Sequence, residues 1–307
     1  MPLAGLFLTN LALVTYRVGF EQKERRHIKS VFDKIVSPNI VEELLEAGDL
    51  ALGGARRKIT VCFADVRGFT EMTDQHHAKA EDFARQQNLT GAVADNYFDE
   101  QAGEVLRTVN LYLGRIADTV KQHEGTLDKY IGDCVMAFWG APTPNERHAL
   151  SAVRAAIDAQ RAVYALNQER FQENKRREQE NLARTGRGEL PLGMLHLLAI
   201  GTGINTGMMT VGLMGSDKHI VNYTVFGREV NLAQRLESYS GRSRVIIGEA
   251  TYLDLKRDDA ALAATCVELA PEIFRGFRAA VKIYEVPWKQ DQPEPAAVKA
   301  VPAAAGR

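Results

Sequence analysis

Apolar residues at Ile28, Val31, Phe32, Ile35 and Val36 follow the spacing of a single helical face. Ser37-Pro38 ends that helix and opens another, with Ser as N-cap and Pro at the first helical position. The second helix carries Ile40, Val41, Leu44 and Leu45 and stops at Gly48. Beyond it the period changes to two: Ile59-Thr-Val-Cys-Phe alternates, and the run Arg57–Ala64 reads as a strand. Val105, Val109, Leu113, Ile116 and Val120 predict an amphipathic helix over Glu104–Glu124.

A hairpin follows over Thr126–Trp139, turning at Ile131-Gly132-Asp133. Then come an alanine-rich helix, His148–Gln168, and strands at Leu195–Gly203 and Ile220–Thr224. A helix over Val230–Tyr239, a strand at Arg244–Ile247 and a last strand at Ala280–Val286 complete the order. Strands interleaved with helices around one sheet predict an α/β or α+β domain.

Two stretches break the rhythm. Gln75–Gly103 is polar with weak periodicity and reads as an inserted loop-helix. Glu169–Leu190 is dense in charge and reads as a solvated, protruding helix. The Pro- and Ala-rich stretch from Pro287 to Arg307 is expected to be disordered. The domain plan is therefore an apolar segment (1–20), a helical linker (21–50), a main domain (51–287) and a tail (288–307).

The apolar segment Leu3–Tyr16 is short for a membrane span, and Arg17, Lys23, Arg25, Arg26 and Lys29 follow it. Three readings fit: the end of a transmembrane helix, a helix on the bilayer surface, or one buried in a dimer. The first places the following domain at the cytoplasmic face of a membrane; without a span the chain is cytoplasmic. The linker, broken at Ser37-Pro38, suits a device passing an upstream membrane or sensor signal to the main domain.

Composition changes this picture little. The 307 residues are 45% hydrophobic and 25% charged, as in a soluble globular protein. A net charge of −1 gives no attraction to nucleic acid. Cys62, Cys134 and Cys266 offer neither a disulfide framework nor a metal-type spacing.

Chemistry enters with two carboxylates. Asp65 closes the first strand and Asp133 sits in the hairpin turn. Either alone reads as a turn cap. Brought together on one sheet they would hold hard divalent cations, which favour oxygen ligands. Behind Asp65 the backbone through Gly68, Phe69 and Thr70 enters a helix, whose free N–H groups suit a phosphate. Asn231 and Arg235, four apart, share a helical face and could hold a ribose oxygen and a phosphate.

"FADVRGFT", "GTLDKYIGDCVMAFWGAP", "GINTG" and "NYTVFGREVNLAQRLE" resemble, in order, the catalytic core of class III nucleotidyl cyclases, in the bacterial adenylate cyclase branch. The likeness covers about Arg57 to Val286. It implies an α+β, ferredoxin-like core and a head-to-tail homodimer with active sites at the interface. It also implies ATP as substrate and two Mg²⁺ or Mn²⁺ held by Asp65, Asp133 and the Val66 carbonyl. By the same resemblance Lys129 and Thr224 read adenine, and Asn231 and Arg235 orient the ribose and stabilise the transition state. Arg278 would hold the triphosphate, although "FRGFRAAVKIYEV" departs from the family pattern and leaves Arg275 as an alternative.

A guanylate cyclase would want an acceptor where Lys129 stands. A catalytically inactive dimerisation module would lack one of these residues. The Gly-Gly-Asp/Glu-Glu-Phe turn of diguanylate cyclases is absent. "GTGINTG" has the wrong spacing for a dinucleotide fingerprint, and its glycines read as strand-end packing.

Overall fold

The computed structural model describes residue 40 and residues 53–187, 192–216 and 221–289. In chain order the first half comprises β1 (Gly53–Arg67), α1 (Phe69–Gln86), α2 (Ala92–Gln122), β2 (Thr126–Ile131), β3 (Cys134–Trp139) and α3 (His148–Gly186). The second comprises β4 (Ala199–Gly215), β5 (Val221–Phe226), α4 (Arg228–Ser240), β6 (Arg244–Gly248), α5 (Glu249–Asp258), α6 (Ala260–Thr265), β7 (Val267–Glu268) and β8 (Ile283–Glu285).

β1 is the spine. It pairs antiparallel with β4 from Gly53↔Leu213 to Arg67↔Ala199, and on its other edge with β3. β2 flanks β3, so the strands run β2-β3-β1-β4, all antiparallel, with helices in both crossovers. That is the expected ferredoxin-like βαββαβ arrangement. β6, β8 and β7 extend the sheet beyond β4, and β5 pairs with the far end of β4.

The alternation in β1 decides which side chains meet which helices. Cys62, Ala64 and Val66 pack under α2 and α3, with Tyr112, Ile116, Val153 and Val163. Ile59, Val61 and Phe63 point the other way, to Met136, Phe138, Met209 and Val225 and to Val230 and Ala233 of α4. Asp65 and Arg67 continue that odd-numbered series and so project toward α4.

Three expectations need correction. Gln75–Gly103, expected as a loop-helix, is helical for most of its length: α1 and α2 span it, separated by residues 87–91, where Asn88 and Gly91 have φ of 51° and 54°. The charged Glu169–Leu190 stretch is helical as expected, continuing α3 to Gly186, but it is clasped along one face and does not protrude freely. Asn167, Asn174 and Asn181, seven apart, grip the returning chain with their amides. Asn181 donates to the Leu192 carbonyl (3.0 Å) and accepts from its N–H (2.6 Å). Asn174 does the same to Leu195 (2.8 and 2.7 Å), and Asn167 donates to the Leu198 carbonyl (2.8 Å). Nor does disorder begin at Pro287. Trp288 is buried and donates its indole N–H to the Ser243 carbonyl at 2.8 Å.

The "GTGINTG" glycines lie inside β4, and their reason is a close approach. A Cβ at Gly203 would collide with the Glu237 backbone, and one at Gly201 or Gly207 would strike Ser240 or Glu229 of α4. Bare backbone there lets α4 lie directly on β4. The predicted N-terminal segment, linker helices and remaining tail fall outside the described residues, Ile40 excepted. Among the described residues no helix is long and apolar enough to cross a membrane.

Candidate active site

Asp65 sits within the β1 ladder, opposite Cys134 and Gly201, two residues before the strand ends. Asp133 occupies the β2–β3 turn beside Gly132, whose φ of 63° makes the tight reversal. The Val66 N–H donates to the Asp133 carbonyl at 3.1 Å and ties the turn to β1. Burial raises the Asp65 carboxyl above its usual range, the Asp133 charge raises it further, and Arg67 opposes both. Arg67 Nη1 lies 2.8 Å from Asp65 Oδ2. Its Nη2 donates to the Glu237 carbonyl at 2.8 Å and makes a tight ion pair with the Glu237 carboxylate.

Glu237 is a residue the sequence reading missed. It occupies the buried row Val230–Ala233–Glu237 of α4, and a carboxylate in an apolar row was the available signal. Burial pushes its carboxyl up to about 7 despite Arg67.

α1 begins at Phe69 directly after Gly68, whose φ of 87° turns the chain out of β1. No side chain caps this helix, and Met72 N–H is bonded to the Gly68 carbonyl at 2.9 Å. The amides of Phe69 and Thr70 therefore have no partner within the helix and suit an anion. Arg242, also absent from the sequence reading, holds its guanidinium over Gly68. A Cβ there would come within 3.1 Å of Nη1.

Oxygen donors from Asp65, Asp133 and the Val66 carbonyl make the kind of set that hard divalent cations accept, leaving positions for phosphate and water. The upward pull on Asp65 from its neighbouring carboxylate is of the kind a bound cation would relieve. The residues present thus fit Mg²⁺ or Mn²⁺. Among the described residues no group of three or more His, Cys, Asp or Glu offers a denser alternative.

A second cluster forms between β2 and β5. The β2–β3 register shifts between Leu127 and Lys129, so Asp128 is the extra residue of a bulge. Neighbouring side chains on a regular strand point to opposite faces. Here both Asp128 and Lys129 reach Thr224 on β5. Lys129 Nζ donates to Thr224 Oγ1 at 3.3 Å, and Thr224 Oγ1 donates to Asp128 Oδ2 at 2.6 Å. Thr224 is buried and the Asp128 side chain is 1% exposed, whereas Lys129 remains open to solvent. Asp128 was not singled out from the sequence, because unbroken alternation would place it opposite Lys129.

Asn231 and Arg235 lie on α4, which starts after Gly227. Asn231 is exposed and Arg235 half-buried, and neither side chain makes a hydrogen bond among the described residues. Arg278 and Arg275 are exposed in the loop around Gly276 and touch none of the other candidates. No hydrogen bond or ion pair among the described residues joins the acidic pair, the Lys129–Thr224 cluster and the Asn231–Arg235 face.

A ferredoxin-like sheet with two acids beside a helix N-terminus is the architecture of a class III nucleotidyl cyclase. Residues 54–284 match the family model of the adenylate and guanylate cyclase catalytic domain, and the chain belongs to that family. An adenylate cyclase of Anabaena cylindrica is 25% identical over 263 residues, covering 85% of this chain and 42% of that protein. Adenylate cyclase 1 of Rhizobium meliloti is 28% identical over 207 residues, covering 67% of this chain and 24% of that protein. The chain thus spans under half the length of these relatives. The adenylyl cyclase CyaB from P. aeruginosa superposes with a TM-score of 0.56 at 29% identity, over 79% of this chain and all of that one. A bacterial light-regulated adenylyl cyclase shares the fold with a TM-score of 0.60 at 19% identity, over 91% of this chain and 66% of that one.

Proposed function

We propose that this chain is an adenylate cyclase, converting ATP to 3′,5′-cyclic AMP and pyrophosphate at sites shared between two copies. The observation that carries the choice of base is the Lys129–Thr224 contact at 3.3 Å, an ammonium donor beside a hydroxyl. Adenine presents an acceptor at N1 and a donor at its 6-amino group, and this pair matches both.

Lys129 donates to N1 while the Thr224 oxygen accepts from the amine. The free amides of Phe69 and Thr70 receive phosphate oxygens, with Arg242 adding positive charge nearby. Asp65, Asp133 and the Val66 carbonyl would hold the divalent cations, whose chemistry is to lower the pKa of the 3′-hydroxyl and neutralise phosphate charge. Asn231 orients the ribose, and Arg235 spreads the charge growing on the α-phosphate oxygens. The 3′-hydroxyl gives up its proton to water while its oxygen forms the bond to the α-phosphorus and the bond to the α–β bridging oxygen breaks. Pyrophosphate leaves with that electron pair, and Arg278 steadies it. The exposure of Asn231 and the lack of a hydrogen-bond partner for Arg235 among the described residues support a site completed by the acidic pair of a second copy.

The test is direct. Purified protein with Mn²⁺ or Mg²⁺ is given ATP or GTP, and products are separated by chromatography. Cyclic AMP from ATP, formed well in excess of cyclic GTP from GTP, is expected. Preference for GTP, or no cyclic product from either nucleotide at protein concentrations where dimers form, contradicts the reading.

A further inference from the structure

We infer that Asp128 is a specificity-determining positioning residue, which commits the Thr224 hydroxyl proton to itself so that Thr224 can only accept from the base. It rests on the adenylate cyclase reading and concerns how the same site rejects guanine.

The hydrogen-bond count closes. A threonine hydroxyl has one proton and two lone pairs. The proton goes to Asp128 Oδ2 at 2.6 Å, within the short range of an O–H···O⁻ bond. One lone pair faces Lys129 Nζ at 3.3 Å. One lone pair is left, and it is the acceptor adenine's amine requires. Without Asp128 the hydroxyl could rotate and donate to the 6-carbonyl of guanine. Threonine alone is therefore indifferent between the two bases, and its carboxylate neighbour makes it selective.

Beyond Thr224, Asp128 has two further partners, the Lys129 ammonium and the Val225 backbone N–H. Its Oδ1 lies 3.3 Å from Lys129 Nζ, an ion-pair contact, yet accepts no aligned hydrogen bond. Burial pushes its carboxyl upward, while the Thr224 hydroxyl and the Lys129 ammonium pull it back toward the charged form. A buried carboxylate costs stability unless it is partnered, and a strand bulge is needed to aim it. Both features are accounted for by orientation of Thr224.

The experiment measures kcat/KM for ATP and for GTP in the full chain and in four variants. Asp128→Ala is expected to lower the ATP/GTP ratio about tenfold or more, since the polar group facing the wrong base becomes adaptable. Asp128→Asn keeps an acceptor oxygen and should hold the ratio within about threefold of wild type. Thr224→Val removes the switchable hydroxyl, and adding Asp128→Ala to it should change the ratio no further, as expected when one residue acts through another. If Asp128→Ala does not fold, Asp128→Leu, which fills the space without an acceptor, carries the same expectation. The inference is overturned if the acceptor-free variant lowers both substrates equally, if Asp128→Asn loses the ratio as fully, or if the ratio falls as far in the Thr224→Val background. A wild type that prefers GTP overturns the adenine reading itself and this inference with it; a wild type that prefers ATP, with an unchanged ratio in the variants, overturns the inference alone.

Discussion

Arg67 Nη1 lies 2.8 Å from Asp65 Oδ2, two positions away on the same strand face, while its other terminal nitrogen holds Glu237 of α4. One guanidinium thus balances two carboxylates. The Glu237 carboxyl is raised from 4.5 to about 7, so the folded state binds that proton more tightly than the unfolded one. Stability therefore falls as pH rises from roughly 4.5 toward 7 and is level above. Arg67→Ala removes the opposing cation and moves the upper end of that window higher. In metal-free buffer the variant is expected to unfold at a lower temperature, with a deficit larger at pH 8.5 than at pH 6. Thermal unfolding at the two pH values checks this, and a deficit independent of pH would show that Arg67 does not hold Glu237 charged.

Gly203→Ala places a methyl group against the Glu237 backbone and lifts α4 from β4. A cost of about 1–3 kcal/mol is expected from such overpacking. Because α4 carries Asn231 and Arg235, turnover should fall with it. Gly114→Ala, in the open interior of α2, meets nothing within 4 Å and should be neutral or stabilising by about 0.5–1 kcal/mol. Equal loss of stability in both would remove the close-approach explanation of the β4 glycines.

Much of this architecture was legible in the sequence where one physical signal dominated. The alternation Ile59–Phe63 gave β1, and the hairpin around Gly132 emerged with its turn in place. The opening of α1 after Gly68 was legible, but its extent was hidden because its buried residues are only Met72, Ala80 and Ala84, too few for a visible stripe. The outer half of α3 depends on the asparagine clasp, a tertiary contact that no helical periodicity reports. The acidic pair could be named because both residues close apolar runs. Asp128 and Glu237 could not, since the bulge in one case and the packing of α4 on β1 in the other decide where they point.

Asp65→Ala and Arg235→Ala disable different halves of the proposed shared site. Each alone should be inactive, and their mixture should regain one working site in each heterodimer. After subunit exchange is verified, recovery toward about a quarter of wild-type turnover is expected from random pairing, which makes half the dimers mixed with one competent site each. No recovery would exclude a site built from two chains.

The central claim is that Asp65 and Asp133 together hold the cations on which ATP cyclisation depends. The most direct measurement is the initial rate of cyclic AMP formation against Mn²⁺ concentration for wild type, Asp65→Asn and Asp133→Asn, with unfolding recorded in parallel. Asparagine keeps the shape and removes the charge. Each variant is predicted to remain folded and to lose about a hundredfold or more of the metal-dependent rate. Near-native turnover in either folded variant, with an unchanged Mn²⁺ dependence, would contradict the account.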